Sequence, residues 1–123
     1  MTRTDAERHA EAWIRDWNAR DIERVVSHFA EGARFVSPLA AQRTGSPVVV
    51  GRDALREYWS GARRHRSFRF TLERIHWDDA RQEMVVVYTR DVDGRRTRAC
   101  EFFRFDDHGE VVAGEAMYGA EGI

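Results

Sequence analysis

Glu101 is the residue of this sequence best placed to do chemistry. It stands in Thr97-Arg98-Ala99-Cys100-Glu101-Phe102-Phe103-Arg104-Phe105, closed by Asp106-Asp107-His108-Gly109. An aromatic-rich run with such a close predicts a β-strand entering a tight turn. Alternate side chains of a strand share a face. One face then carries Thr97, Ala99, Glu101, Phe103 and Phe105; the other carries Arg98, Cys100, Phe102 and Arg104. Water reaches the arginine face more easily, so Glu101 falls among rings. Lost hydration raises a carboxyl pKa toward the range where a general acid or base is useful. A second reading packs only the stem of Glu101 and leaves its head in water or on an arginine.

Other chemistries find little support. The five histidines, at 9, 28, 65, 76 and 108, show no His-x-His or His-x-x-x-His spacing. No Cys/His set is present, so no metal is expected. Neither a Gly-x-Ser-x-Gly elbow nor a dinucleotide-binding Gly-x-Gly-x-x-Gly occurs, and no cofactor is expected. All 20 basic residues are arginine, which excludes Schiff-base chemistry and a P-loop. Cys100, the single cysteine, forms no internal disulfide and lies on the arginine face, a structural position.

The 123 residues suit one domain spanning 1–123, with 42% apolar and 33% charged residues. A net charge of −1 gives no electrostatic footprint for nucleic acid. The basic run Arg63-Arg64-His65-Arg66 sits where a helix should end and complements its dipole. No run of 18 apolar residues exists, so no membrane span is expected. The start of the sequence leads directly into a charged helical pattern without a signal-peptide region, and a cytoplasmic location is the expectation.

Thr4-Asp5-Ala6-Glu7 has the spacing of a capping box, and Ala6, Ala10, Trp13, Ile14 and Trp17 form a helical stripe. This predicts a first helix over 5–19. Asp21 caps a second, with the stripe Ile22, Val25, Val26 and Phe29, ended by Gly32. Ala33 to Ser37 reads as a short strand stopped by Pro38, with Phe35 and Ser37 on one face. Residues 39–50 read as a long loop closing over a cavity mouth, with Val48, Val49 and Val50 against it. Gly51-Arg52-Asp53 opens a third helix striped by Leu55, Tyr58, Trp59 and Ala62. Four strands follow: Phe68 to Trp77, Met84 to Arg90, the Glu101 strand, and Val111 to Tyr118.

The order α-α-β-α-β-β-β-β predicts an α+β fold, a cone-shaped α+β barrel. Its curved, mostly antiparallel sheet holds three helices on its concave face. The Asp93-Gly94 hairpin pairs Val92 with Arg95, Val86 with Glu101 and Tyr88 with Ala99, making Tyr88 a diagonal neighbour of Glu101. Arg90 shares the face farther along, opposite Thr97. The last hairpin allows two registers. One, preferred, places Gly114 opposite Glu101 and sends Val112, Ala116 and Tyr118 inward; the other opposes Glu115 to Glu101.

Four segments carry a resemblance: Asn18-Ala-Arg-Asp21, Phe29-Ala-Glu-Gly-Ala-Arg-Phe-Val-Ser-Pro38, Gly51-Arg-Asp-Ala-Leu-Arg-Glu-Tyr-Trp59 and Arg104-Phe-Asp-Asp-His-Gly109. Nearly the whole chain resembles the nuclear-transport-factor-2-like superfamily, which holds the ketosteroid isomerases and the SnoaL-like polyketide cyclases. The resemblance implies the cone fold and a small-molecule pocket. It places Ser37 where the isomerases keep their base, Trp13 and Trp59 where they have pocket tyrosines, and Glu101 at their oxyanion-stabilising acid. A true ketosteroid isomerase is thereby ruled against, and the cyclase-like pattern stays open.

Two functions remain. In one, an isomerase or cyclase moves a proton next to a carbonyl, with Glu101 as acid or base assisted by Ser37 and Tyr88. Trp13, Trp17, Phe29, Phe35, Tyr58, Trp59, Phe103, Ala116 and Tyr118 then line the pocket around a small apolar or carbonyl-containing molecule. In the other, the fold is a non-catalytic ligand-binding or dimerisation module. Members of the superfamily commonly pair through the outer sheet face, and a homodimer is expected here.

Overall fold

A computed structural model describes residues 1–122; residue 123, the last of the expected domain span, lies outside the described residues. Helix α1 (Arg3–Asn18) begins two residues earlier than its pattern suggests. Thr2, not Thr4, is the cap: its side chain accepts from Asp5 N–H, and Asp5 bonds back to the cap backbone. Arg20 then takes a φ of 52°, which breaks the helix before Asp21 caps α2 (Ile22–Ser27) by accepting from Arg24 N–H. The break is held from outside, because the Arg20 guanidinium donates to the His65 carbonyl at 2.6 Å and lies over the Phe68 ring.

Helix α2 stops at Ser27 rather than at Gly32, and Phe29 opens strand β1 (Phe29–Val36) instead of closing the helix. Residues 39–50 are not an irregular loop. Pro38 starts α3 (Pro38–Thr44), Gly45 closes it with a φ of 82°, and Val48–Val50 form strand β2 against β1. Pro at the first helical position and Gly just past the end suit those positions, since Pro lacks the N–H that helix starts leave unused and Gly tolerates φ > 0. Next come α4 (Arg52–Trp59), a 3₁₀ turn (Ser60–Arg64), and strands β3 (Phe68–Asp78), β4 (Glu83–Val92), β5 (Arg95–Phe105) and β6 (Val111–Glu121). The described residues thus hold four helices and six strands where three and five were expected.

The strands form one curved, unclosed sheet in the order β2-β1-β6-β5-β4-β3. Only β1 and β6 run parallel. An extra residue at Glu73 shifts the β3–β4 register, and such bulges bend a sheet. The β4–β5 pairing is as the hairpin predicts, with Val86 opposite Glu101 and Tyr88 opposite Ala99. The β5–β6 pairing differs from both expected registers. Phe105 meets Val111, Arg104 meets Ala113, and the skipped Val112 brings Ala116 opposite Glu101 and Gly114 opposite Phe103. Val111, not Val112, is consequently the buried residue.

The core lies between the sheet and α1, α2 and α4. Phe103 is its centre, edge-on to Trp13 and to His9. His28 Nε2 donates to Asp16 Oδ2 at 2.9 Å, fastening α1 to the end of α2. At its other end α1 is fastened to edge strand β3 by Asn18, whose amide donates to the Phe70 carbonyl at 2.8 Å and accepts from Phe70 N–H at 2.7 Å. The side chain so supplies the partner that an edge strand lacks. No helix among the described residues is long and apolar enough to cross a membrane.

Replacing Asn18 by Ala removes both bonds from a partly buried backbone and should cost about 1–3 kcal/mol. Urea denaturation of the variant beside the parent measures it; an unchanged midpoint would show that water replaces the amide freely.

Candidate functional site

Strand parity brings the site together. Tyr88 and Arg90 of β4, Glu101 of β5 and Tyr118 of β6 all point toward the helices. With Trp13 and Trp17 of α1, Phe35 and Ser37 at the end of β1, and Tyr58 and Trp59 of α4, they line a partly enclosed cavity of about 80 Å³. Phe29, Phe103 and Ala116, expected in the lining, stand behind it as core: Phe29 packs on Trp59 and Phe103 under Trp13. The rim that residues 39–50 were expected to form comes from α3 through Leu39 and Arg43, while Val48, Val49 and Val50 are not among the lining residues.

Glu101 is 5% exposed. Tyr88 donates its hydroxyl to Oε1 at 3.3 Å, and Oε2 has no hydrogen-bond partner among the described residues. Burial pushes the carboxyl up to about 8, against the downward pull of the Tyr88 bond and of the Arg90 charge. At neutral pH the group is therefore mainly a neutral acid whose proton can be offered into the cavity from Oε2. No arginine forms an ion pair with it among the described residues.

The tyrosines keep their protons as well. Burial raises Tyr88 and Tyr118, and Glu101 beside them adds to it. Tyr58 rises for the first of those reasons, and its hydroxyl lies 2.9 Å from Ser37 Oγ. Ser37 itself is 1% exposed, held at the foot of α3. Trp13 Nε1 is buried without a hydrogen-bond partner among the described residues. The interior is consequently rich in donors and contains no free anion.

Two lining residues carry chemistry that sequence reasoning did not find. His65 stands at the rim, its Nδ1 2.8 Å from Asp93 Oδ2. Asp93 is held near 2, first by that bond and then by the Ser67 and Arg66 backbone N–H groups. An imidazole so oriented presents Nε2 as its free nitrogen, the arrangement of a general base with a fixed tautomer. The signal was the hairpin aspartate, whose side chain has a second use; read as a turn residue alone, it hides its partner. Arg90 is the other, and its same-face position opposite Thr97 was foreseen without a role in the lining. Leu39, Arg43, Ala62, Phe68 and Phe70 complete the wall. No three His, Cys, Asp or Glu side chains are placed to share a metal ion among the described residues.

Comparison with known proteins agrees with this architecture. The SnoaL-like domain family matches residues 10–114. A SnoaL-like protein of unknown function from Burkholderia thailandensis superposes with a TM-score of 0.85 at 28% identity, covering 97% of this chain and 98% of its own. A protein of unknown function with cystatin-like fold from Methylobium petroleophilum gives 0.80 at 18% identity, over 100% and 81% of the two chains. SalBIII, an epoxide hydrolase/cyclase-like enzyme with a role in pyran ring formation in the polyether salinomycin, gives 0.77 at 18%, over 100% and 99%. The last two likenesses show the fold alone. No curated protein matches.

The raised Glu101 pKa has a sign that a melt can read. Below the ordinary carboxyl value of 4.5 the acid is protonated whether folded or unfolded. Between there and about 8 only the unfolded chain releases the proton, so this group's contribution to stability falls as pH rises, then levels off. Glu101→Gln removes that fall. The variant should melt with the parent at pH 4 and be more stable by roughly 3–5 kcal/mol at pH 8. A variant less stable at pH 8 would make Glu101 an ionised partner of an arginine.

Proposed function

The chain belongs to the SnoaL-like domain family, and from that premise we propose that it is a small-molecule pocket protein that moves a proton next to a carbonyl, with Glu101 as the acid. The observation that carries the reading is the buried Glu101 carboxyl, bonded at one oxygen by Tyr88 and open to the cavity at the other. A carbonyl oxygen placed against Oε2 accepts that proton's hydrogen bond. Charge that develops on the oxygen when an adjacent C–H bond breaks is met by a donor already in position.

His65 supplies the complementary half. Its Nε2 takes the proton from the carbon, the C–H electron pair moves into the carbon–carbon bond, and the carbonyl pair moves onto the oxygen. Where the enol is conjugated with a carbon–carbon double bond, return of the proton at its far end gives an isomer. Attack of the enol carbon on a second carbonyl of the same molecule gives a ring, the new alkoxide taking the proton held on His65 while the first carbonyl re-forms. Tyr118, Trp13 and Trp59 orient the substrate, and Ser37 with Tyr58 closes the side near β1. The exchange of the isomerases' basic position for Ser37 leaves this task to the rim, where the Asp93-held histidine stands.

Proton exchange tests this directly. Cyclohexanone and 2-oxobutanoate, incubated with the protein in deuterated buffer, should lose α-protons by NMR faster than in buffer alone. Glu101→Gln should slow the protein-dependent exchange about 10²–10³-fold, and His65→Gln comparably. Exchange unaffected by either change, or absent with both probes, would leave a ligand-binding module without turnover.

The expected homodimer is part of the same proposal. The outer sheet face carries half-buried Cys100 and Phe102, and Met117 is 50% exposed, a mixture with arginine that suits a two-fold interface. Sedimentation equilibrium at micromolar concentration should return twice the chain mass of 14.3 kDa; the single mass would dismiss it.

A further inference from the structure

Arg90 is the cavity charge that the proposed reaction leaves without a task. Its neighbours across the sheet, Phe70 on β3 and Thr97 on β5, are uncharged. The guanidinium carbon lies 4.9 Å from the centre of the Tyr118 ring, which holds the group in the wall. Nε is buried with no hydrogen-bond partner, and no carboxylate lies within ion-pair distance among the described residues. Glu101, the acid of the same cavity, is the group that burial keeps neutral. A guanidinium cannot shed its proton, so the cavity holds a standing positive charge.

A half-buried cation without an ion partner costs stability, and a carboxylate with its two oxygens in one plane matches the guanidinium fork. We propose that the cavity takes a small organic carboxylate, its anionic group on Arg90 and its carbon skeleton among Trp13, Trp17 and Phe70. The Tyr118 hydroxyl offers a further donor close by. At the rim Arg43 lies over the Tyr58 ring at 5.6 Å and donates to the Tyr58 carbonyl at 3.3 Å. A second cation at the entrance favours the approach of anions. With a carbonyl next to Glu101 the molecule becomes an oxo acid. The inference rests on the proton-transfer reading for what is done with the anion, and on Arg90 alone for its binding.

Trp13, Trp17 and Trp59 in the lining make binding visible as a change in tryptophan emission. Benzoate and benzamide, alike in shape and different in charge, are the probes. Benzoate should give a saturable change with a dissociation constant at least tenfold below that of benzamide, and Arg90→Met should abolish the difference. Without ligand Arg90→Met should melt above the parent, because it removes an unpaired cation; a merely structural arginine would give the opposite. Equal response to the two probes, a benzoate response that survives Arg90→Met, or a variant that melts below the parent overturns the proposal. Benzoate preference together with absence of α-proton exchange upholds the anion site and sinks only the reaction.

Discussion

Asp93 is the constraint on which the geometry of the cavity depends. With Gly94 it adopts φ values of 52° and 81°, the left-handed pair that lets two residues reverse a hairpin without untwisting it. That turn sets Val92 opposite Arg95, and every later pair between β4 and β5 follows. A slip of one residue would turn Tyr88 and Arg90 outward and bring Thr89 to the cavity side in their place. The same side chain reaches back across the turn. Its Oδ1 accepts from Arg66 and Ser67 N–H, fixing where β3 begins, and its Oδ2 faces His65. One carboxylate therefore refers the sheet register, the start of the edge strand and the rim histidine to a single point.

Inside, desolvation outweighs charge pairing. Glu101 has a tyrosine bonded to it and an arginine in the same wall, each favouring the ionised form, and burial still raises its carboxyl. Were Glu101 ionised, its charge would make Tyr88 and Tyr118 harder still to ionise. All of these groups hold protons together, and Arg90, with Arg43 at the rim, leaves the charge unbalanced. Such an interior is complementary to negative charge on oxygen, whether brought in by a ligand or developed during reaction.

Much of this was legible because a strand has a period of two and a two-residue hairpin has one register. The face of Glu101, its pairing with Val86, and the presence of Tyr88 beside it follow from those rules alone. Residues 39–50 were misread because α3 is only seven residues long and buries just Ala40, too little for an amphipathic stripe to show. The Pro38 and Gly45 at its ends were the available signal. Phe29 kept its burial while changing element, since an apolar residue at a helix–strand junction fits either period. The last register escaped because a bulge at Val112 leaves no mark in side-chain types. His65 and Arg90 needed distances across the fold that spacing along the chain does not contain.

The strand order has a consequence for synthesis. Of the six strands β6 is made last, yet it lies between β1 and β5, and its partner β1 is made first. Until β6 is in place, the facing edges of β1 and β5 have nothing to pair with, and both carry buried aromatic positions. A folding chain must keep these edges apart from those of other copies until β6 joins them. The cavity then acquires Tyr118 in the step that joins the two halves of the sheet, so covering of the two edges and completion of the cavity wall are one event.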